Sequence, residues 1–112
     1  MKIRGLFLGF IAVAMFASCA TRSVESRFGS YAEAERLYQK GEYGDAADKY
    51  EKYLNENPRG GLVAVASYYL AKCYAAVGKK EAARAGFLKI MADHPKTTWA
   101  DFSKKQLESL GS

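Results

Sequence analysis

Apolar residues recur along residues 31–110 with the period of an α-helix. Tyr50, Tyr53 and Leu54 are spaced as i, i+3 and i+4, which places them in one stripe along a helix face. From Tyr31 onward the chain is rich in Ala, Leu, Tyr, Glu and Lys, and it contains only two prolines, a composition typical of helices. The pattern therefore predicts an all-α fold.

Glycine and proline residues mark where the predicted helices end. The first helix runs to about Lys40 and is followed by Gly41, since glycine adopts the positive φ that closes a helix. A second helix runs to about Glu56, and Pro58 stops it because proline cannot continue a helix. These two helices form a predicted hairpin.

The chain repeats itself at an offset of 37 residues, the distance between Pro58 and Pro95. Many positions agree in kind at this offset: Tyr31 with Tyr68, Ala34 with Ala71, Gly41 with Gly78, Ala46 with Ala83 and Tyr50 with Phe87. The second hairpin is thus predicted to begin near Leu62, to turn at Gly78 and to end before Pro95.

A further step of the same offset predicts one more helix, from about Thr98 to Leu110, with Thr97 or Thr98 as its N-cap. This helix is expected to cover the second hairpin as a C-terminal cap. Its predicted inward stripe consists of Trp99, Phe102 and Leu107. The residues predicted to lie largely away from that stripe are Lys104, Lys105 and Glu108. The predicted architecture is two helical hairpins plus a capping helix.

These hairpins resemble tetratricopeptide repeats, which usually have a period of about 34 residues and a terminal proline. The residues that carry the resemblance are Ala34, Gly41, Tyr43, Ala46, Tyr50 and Pro58, then Leu70, Ala71, Tyr74, Gly78, Ala83, Phe87 and Pro95. Tyr53 and Ile90 depart from the pattern, since the family usually has alanine there. The longer period and these larger residues resemble an envelope subgroup, the outer-membrane assembly lipoproteins of the BamD type and the periplasmic Tol-Pal coordination protein.

The resemblance implies that the first helix of each pair lines a concave groove that binds a segment of another protein. The groove positions that it implies are Tyr31, Glu35, Tyr38, Tyr68, Lys72 and Lys105. Tyrosine is enriched at binding hot spots because it is rigid and amphipathic. The alternative is that some of these tyrosines only pack between repeats. The aromatic residues expected in the core are Tyr50, Tyr53, Tyr74 and Phe87.

Residues 1–18 have the pattern of a secretory signal rather than of a folded helix. Lys2 and Arg4 provide positive charge, and the apolar run from residue 6 to residue 17 is shorter than the roughly 20 residues of a membrane span. The repeat domain is predicted over residues 30–110. Residues 19–29 are mostly polar and are interpreted as a tether.

The segment "FASCATRS" resembles a bacterial lipobox. Ala17, Ser18 and Cys19 match its small residues and its cysteine, whereas Phe16 stands where leucine is usual. The resemblance implies that Cys19 carries diacylglycerol and an N-linked acyl chain such as palmitate. Since Ala20 is not the aspartate that retains lipoproteins in the inner membrane, it implies the outer membrane. The alternative is an ordinary cleaved signal that leaves Cys19 as a thiol.

Charge and reactive residues exclude several classes of function. Removal of residues 1–18 leaves 15 basic and 12 acidic residues, and no run of Lys or Arg exceeds two, so a nucleic-acid surface is not indicated. If Cys19 is acylated, Cys73 has no disulfide partner. His94 is the sole histidine, and the chain has no HExxH or CxxC motif. The sequence predicts no enzyme activity, no metal site and no cofactor.

The sequence therefore predicts a lipid-anchored helical repeat module that faces the periplasm and binds another envelope protein or peptide segment, in outer-membrane assembly or envelope maintenance. Self-association is compatible with its small size. One alternative is a structural lipoprotein that self-assembles or contacts the cell wall. Another is a secreted accessory subunit of an enzyme complex.

Overall fold

The computed structural model describes residues 28–111, and the predictions for residues 1–27, including Cys19, lie outside this range. Within it the chain forms five α-helices and no strand. The helices are α1 (residues 28–39), α2 (Tyr43–Glu56), α3 (Val63–Ala76), α4 (Lys80–Asp93) and α5 (Thr98–Leu110). The predicted all-α fold of two hairpins and a capping helix is confirmed.

The turn inside each hairpin is closed by a glycine in the left-handed conformation. Gly41 has a φ of 80° and Gly78 a φ of 86°. At the first turn, the Glu42 N–H donates to the Leu37 carbonyl at 2.9 Å and the Gly41 N–H to the Tyr38 carbonyl at 3.0 Å. The same pair of bonds recurs at the second turn. This Schellman motif satisfies the last carbonyls of α1 and α3, so the predicted glycine turns are confirmed.

The start of α5 is fixed by Thr97. Its Oγ1 accepts a hydrogen bond from the Ala100 N–H at 3.3 Å and donates one to the His94 carbonyl at 2.7 Å. Of the two predicted N-caps, the structure therefore uses Thr97. His94 is the C-cap of α4, and its N–H donates to the Ile90 carbonyl at 2.8 Å.

The helix α3 lies at the centre of the array, in contact with α2, α4 and α5. Its Ala66 and Cys73 belong to one core with α2, while its Tyr68 and Ala71 belong to a second core with α4. Each repeat thus has its own core, and α3 joins the two.

The predicted core aromatic residues are buried in all but one case. Tyr50, Tyr53 and Phe87 expose 1%, 2% and 0% of their surface. Tyr74 is half-buried, and its hydroxyl donates to the Glu51 carboxylate. Small residues allow the helices to approach closely around these rings: a Cβ added at Gly86 would lie only 3.0 Å from the Ala71 Cβ.

The capping helix α5 packs differently from the predicted stripe. Leu107 is partly buried against the second core as expected, but Phe102 keeps 39% of its surface exposed. The deepest residues are Ala100, at 6%, and Ser103, at 0%. Small side chains let α5 come close to α4, and Trp99 and Phe102 then lie to one side, against Tyr68.

The outer face of α5 is polar, as expected of a cap. At the repeat offset, Ala34 of α1 and Ala71 of α3 correspond to Glu108, and Glu108 is exposed. Lys105 is exposed as well. Among residues 28–111, no helix is both long and apolar enough to cross a membrane.

Candidate functional site

Five aromatic side chains from α1, α3 and α5 form a continuous surface, called here the aromatic surface: Tyr38, Tyr68, Tyr69, Trp99 and Phe102. Ring centroids are 5.1 Å apart for Tyr38 and Tyr69 and 5.3 Å apart for Tyr68 and Tyr69. The contacts continue from Tyr68 to Trp99 at 5.4 Å and from Trp99 to Phe102 at 5.7 Å. All of these contacts except the tilted Tyr68–Trp99 pair are edge-to-face, and such contacts add to the free energy of packing beyond the area buried.

Lys72 on α3 lies against two rings of the aromatic surface. Its Nζ is 5.9 Å from the ring centroid of Tyr38 and 5.8 Å from that of Tyr68, distances at which a cation is attracted by a ring face. Burial by itself would lower the pKa of Lys72, but the Tyr38 hydroxyl and the other neighbouring tyrosines raise it. Lys72 is therefore a fixed positive charge between α1 and α3.

Tyr31 and Glu35 lie one turn apart on α1. The Tyr31 ring packs edge-on against Tyr50 at 6.0 Å and Tyr53 at 5.4 Å, so it contributes to the packing of the first hairpin. Burial, together with the nearby charge of Glu35, raises the pKa of Tyr31 to about 12. Glu35 is exposed.

A cavity of about 250 Å³ opens beside the aromatic surface, between α1, α2 and α3. The residues that line it are Glu35, Tyr38, Gln39, Tyr50 and Tyr69. The Tyr69 ring is stacked at 6.2 Å on Tyr50, with an interplanar angle of 17°, and meets Tyr38 edge-on at 75°. The cavity therefore combines aromatic walls with a carboxylate and an amide.

Of the six predicted groove residues, five lie around this region: Tyr31, Glu35, Tyr38, Tyr68 and Lys72. Tyr68 exposes only 6% of its surface and also contacts Phe87 of the second core at 5.8 Å. Its role is therefore mainly packing, one of the two interpretations that the sequence allowed. Lys105 is exposed on α5, and no ion pair or cation–π contact of residues 28–111 includes it.

Sequence reasoning missed Tyr69, which contacts Tyr38, Tyr50, Tyr68 and Trp99. At the repeat offset Tyr69 corresponds to Ala32, whereas Tyr68 corresponds to Tyr31, so the comparison of repeats selected Tyr68. The sequence signal that could have identified Tyr69 is that it directly follows another tyrosine, Tyr68. One of them lies in the second core and the other between the repeats.

A second, more apolar cavity of about 230 Å³ lies between α2, α3 and α4, with Leu54, Leu70 and Ile90 among its walls. His94 lines its end, and Asp93 at its edge is 2.7 Å from Lys89 Nζ. The hydrogen bond and charge of Lys89 lower the pKa of Asp93. His94 directly follows the last residue of α4 as its C-cap.

Cys73 is fully buried in the first core, and burial raises the pKa of its thiol to about 11. A buried thiol with a raised pKa is a weak nucleophile, because the thiolate is the reactive form. In the part of the chain that the structure describes, no three His, Cys, Asp or Glu side chains are grouped so that they could hold a metal ion.

Comparisons with known proteins give one match. The sequence model of the tetratricopeptide repeat family matches residues 37–105, more than half of the 112 residues. Searches of curated proteins and of solved structures found no match. The matched range begins near the end of α1 and ends in α5, so it includes α2, α3, α4 and all five residues of the aromatic surface.

Proposed function

Because the chain belongs to the tetratricopeptide repeat family, we propose that it is an adaptor that binds a partner protein, and that it does so through the aromatic surface. We propose further that it is anchored to a membrane of the bacterial envelope. Repeats of this family typically form non-catalytic scaffolds and bind other proteins or peptide segments. The membrane anchor, the envelope location and the binding surface are the parts that this proposal adds.

The observation that carries the choice of surface is the continuity of aromatic side chains across α1, α3 and α5. Aromatic residues are enriched at protein interfaces and at binding hot spots. Phe102 is 39% exposed, and Tyr38, Tyr69 and Trp99 are half-buried, so a partner can cover each of them further. Lys72 adds a charge that can select the partner's orientation.

The binding surface is tested by capture of the partner from native membranes with a Tyr38→Ala, Phe102→Ala double variant. Leu88→Ala serves as the matched control, because Leu88 is 52% exposed on α4. We expect the double variant to lose the captured protein and the control to retain it, with equal helicity by circular dichroism. Equal recovery by the two variants would refute the aromatic surface as the binding site.

The anchor rests on the sequence around Cys19, where small residues precede the cysteine after an apolar run. Each buried methylene of an acyl chain contributes about 0.8 kcal/mol, and stable anchoring takes more than one chain, as an acylated diacylglyceryl cysteine provides. Cys19→Ala should therefore leave the membrane fraction, while Cys73→Ala should stay in it. A Cys19→Ala variant that sediments with membranes would contradict lipid anchoring.

The outer membrane is proposed from Ala20, since aspartate at this position would retain a lipoprotein in the inner membrane. The length of the repeat and the residues Tyr53 and Ile90 support a place in the envelope subgroup that includes the BamD-type and Tol-Pal proteins. Density-gradient separation of the two membranes tests the location. We expect the protein in the outer-membrane fraction and the Ala20→Asp variant in the inner-membrane fraction, and the reverse distribution would refute the proposal.

A further inference from the structure

The cavity between α1, α2 and α3 has a lining that suits a positively charged guest. Its volume of about 250 Å³ is below the roughly 300–1,000 Å³ of typical small-molecule sites, so it fits a single side chain. The residues that line it are Glu35, Gln39 and three tyrosines, and no Lys or Arg is among them. Carboxylate and phenol oxygens accept hydrogen bonds, which ammonium and guanidinium groups donate.

Glu35 has no cationic partner among the described residues. The ion pairs of residues 28–111 do not include it. Its charge lies near enough to the Tyr31 hydroxyl to raise the pKa of that group. Glu33, two residues earlier on α1, differs because its carboxylate is 3.6 Å from Lys49 Nζ. The lining of the cavity therefore includes a carboxylate that forms no ion pair within residues 28–111.

The adjoining aromatic surface already holds one cation. Lys72 Nζ lies 5.9 Å and 5.8 Å from the ring centroids of Tyr38 and Tyr68. Lys72 is not among the residues that line the cavity, so the cavity itself is open to a second cation. Tyr38 both lines the cavity and contacts Lys72. Glu35, which also lines the cavity, would balance the charge of a second cation bound there.

We propose that this cavity binds a cationic side chain, an arginine or a lysine, from the partner segment that crosses the aromatic surface. The inference rests on the proposed function and adds the chemistry by which the partner is selected. A cation there would pair with Glu35 and contact the tyrosine rings at the same time. An acidic guest would instead meet the Glu35 carboxylate.

The experiment is an NMR titration of the full-length protein with N-acetyl-arginine amide and with its uncharged isostere, N-acetyl-citrulline amide. We expect the arginine derivative to shift the ring resonances of Tyr38 and Tyr69 and to bind roughly tenfold more tightly than the citrulline derivative. Equal affinities, or shifts confined to residues outside the cavity, would overturn the proposal.

Two variants of α1 make the assignment specific. Glu35→Gln should abolish the preference for arginine, whereas Glu33→Gln should retain it, because Glu33 does not line the cavity. Both positions are on one helix, and equal circular dichroism spectra would exclude a difference in folding. Loss of the preference in both variants, or in neither, would show that the cation does not bind at Glu35.

The two proposals fail separately. If the arginine preference is absent but Tyr38→Ala, Phe102→Ala still abolishes partner capture, the cation site is wrong and the binding surface stands. If arginine binds at Glu35 but partner capture is insensitive to the double variant, the cavity is a cation site and the proposed function is wrong.

Discussion

Ser103 is fully buried on α5, and its Oγ has no hydrogen-bond partner in the described structure. A buried hydroxyl without a partner has lost its hydrogen bonds to water and costs about 1–3 kcal/mol. Ser103→Ala removes this hydroxyl and replaces serine by the residue with the highest helix propensity, a gain of about 0.5 kcal/mol. The loss of packing around one oxygen atom offsets part of the gain.

We therefore expect Ser103→Ala to raise the free energy of unfolding by about 1–2 kcal/mol. For a domain of this size each kcal/mol shifts Tm by about 4–8 °C, so an increase of about 4 °C or more should be visible by thermal circular dichroism. Ser109→Ala is the matched control, because Ser109 lies on the same helix and is exposed. Its Tm should change by only the small propensity effect.

A decrease in Tm for Ser103→Ala, or a change equal to that of Ser109→Ala, would refute the reasoning. Either result would indicate that the Ser103 hydroxyl donates a hydrogen bond, as a serine within a helix can do to the carbonyl four residues earlier. Urea denaturation of the same variants distinguishes this outcome from an effect on the unfolded state. An effect on the unfolded state would also change the slope of the free energy of unfolding against urea concentration.

Two further predictions concern the turn and the first core. Gly41→Ala should lower the free energy of unfolding measured in urea by about 1–2 kcal/mol, since alanine is strained at a φ of 80°. Gly44→Ala is the control and should not destabilise the protein in this way, because a Cβ added there meets no atom within 4 Å. Equal losses of stability in the two variants would contradict this prediction. Burial raises the pKa of Cys73 from 9.0 to about 11, so its contribution to stability is full below pH 9 and is lost as pH rises towards 11. Cys73→Ala should flatten this decline, and an unchanged pH profile would refute it.

The boundaries of the helices could be predicted because they depend on single residues with strong local effects. Gly41 and Gly78 adopt positive φ values in both turns, and Thr97 caps α5. The repeat offset added a second, independent constraint, since each boundary in one hairpin implied a boundary in the other. Local backbone chemistry was therefore sufficient for the order and length of the helices.

The faces of the helices were harder to predict, because they depend on how closely two helices approach. Hydrophobicity placed Phe102 in the stripe of α5 that packs inward, but the buried positions are Ala100 and Ser103. A helix that packs through small side chains comes nearer to its neighbour and displaces large rings to the side. Tyr69 was missed because its counterpart in the first repeat is an alanine, Ala32, so the comparison of repeats did not select it.

The end faces of the array are polar, and this bears on where a partner can bind. The residues by which α3 contacts α2 include Leu70 and Cys73, and their counterparts on α1 at the repeat offset are Glu33 and Arg36. On α5, Lys105 and Glu108 stand at the repeat positions that the buried residues Tyr68 and Ala71 occupy on α3. Stacking copies end to end would therefore bury charges, which is costly without partners.

Each of the helices α1, α3 and α5 has one apolar residue at an equivalent position of the repeat. Phe28, Val65 and Phe102 are equivalent at the repeat offset, and Phe28 and Phe102 expose 47% and 39% of their surface. A partner segment that crosses α1, α3 and α5 would therefore meet one apolar side chain from each helix. Because helices pack about 8–10 Å apart, such a segment needs apolar residues at a similar spacing, with a cation placed to reach Glu35.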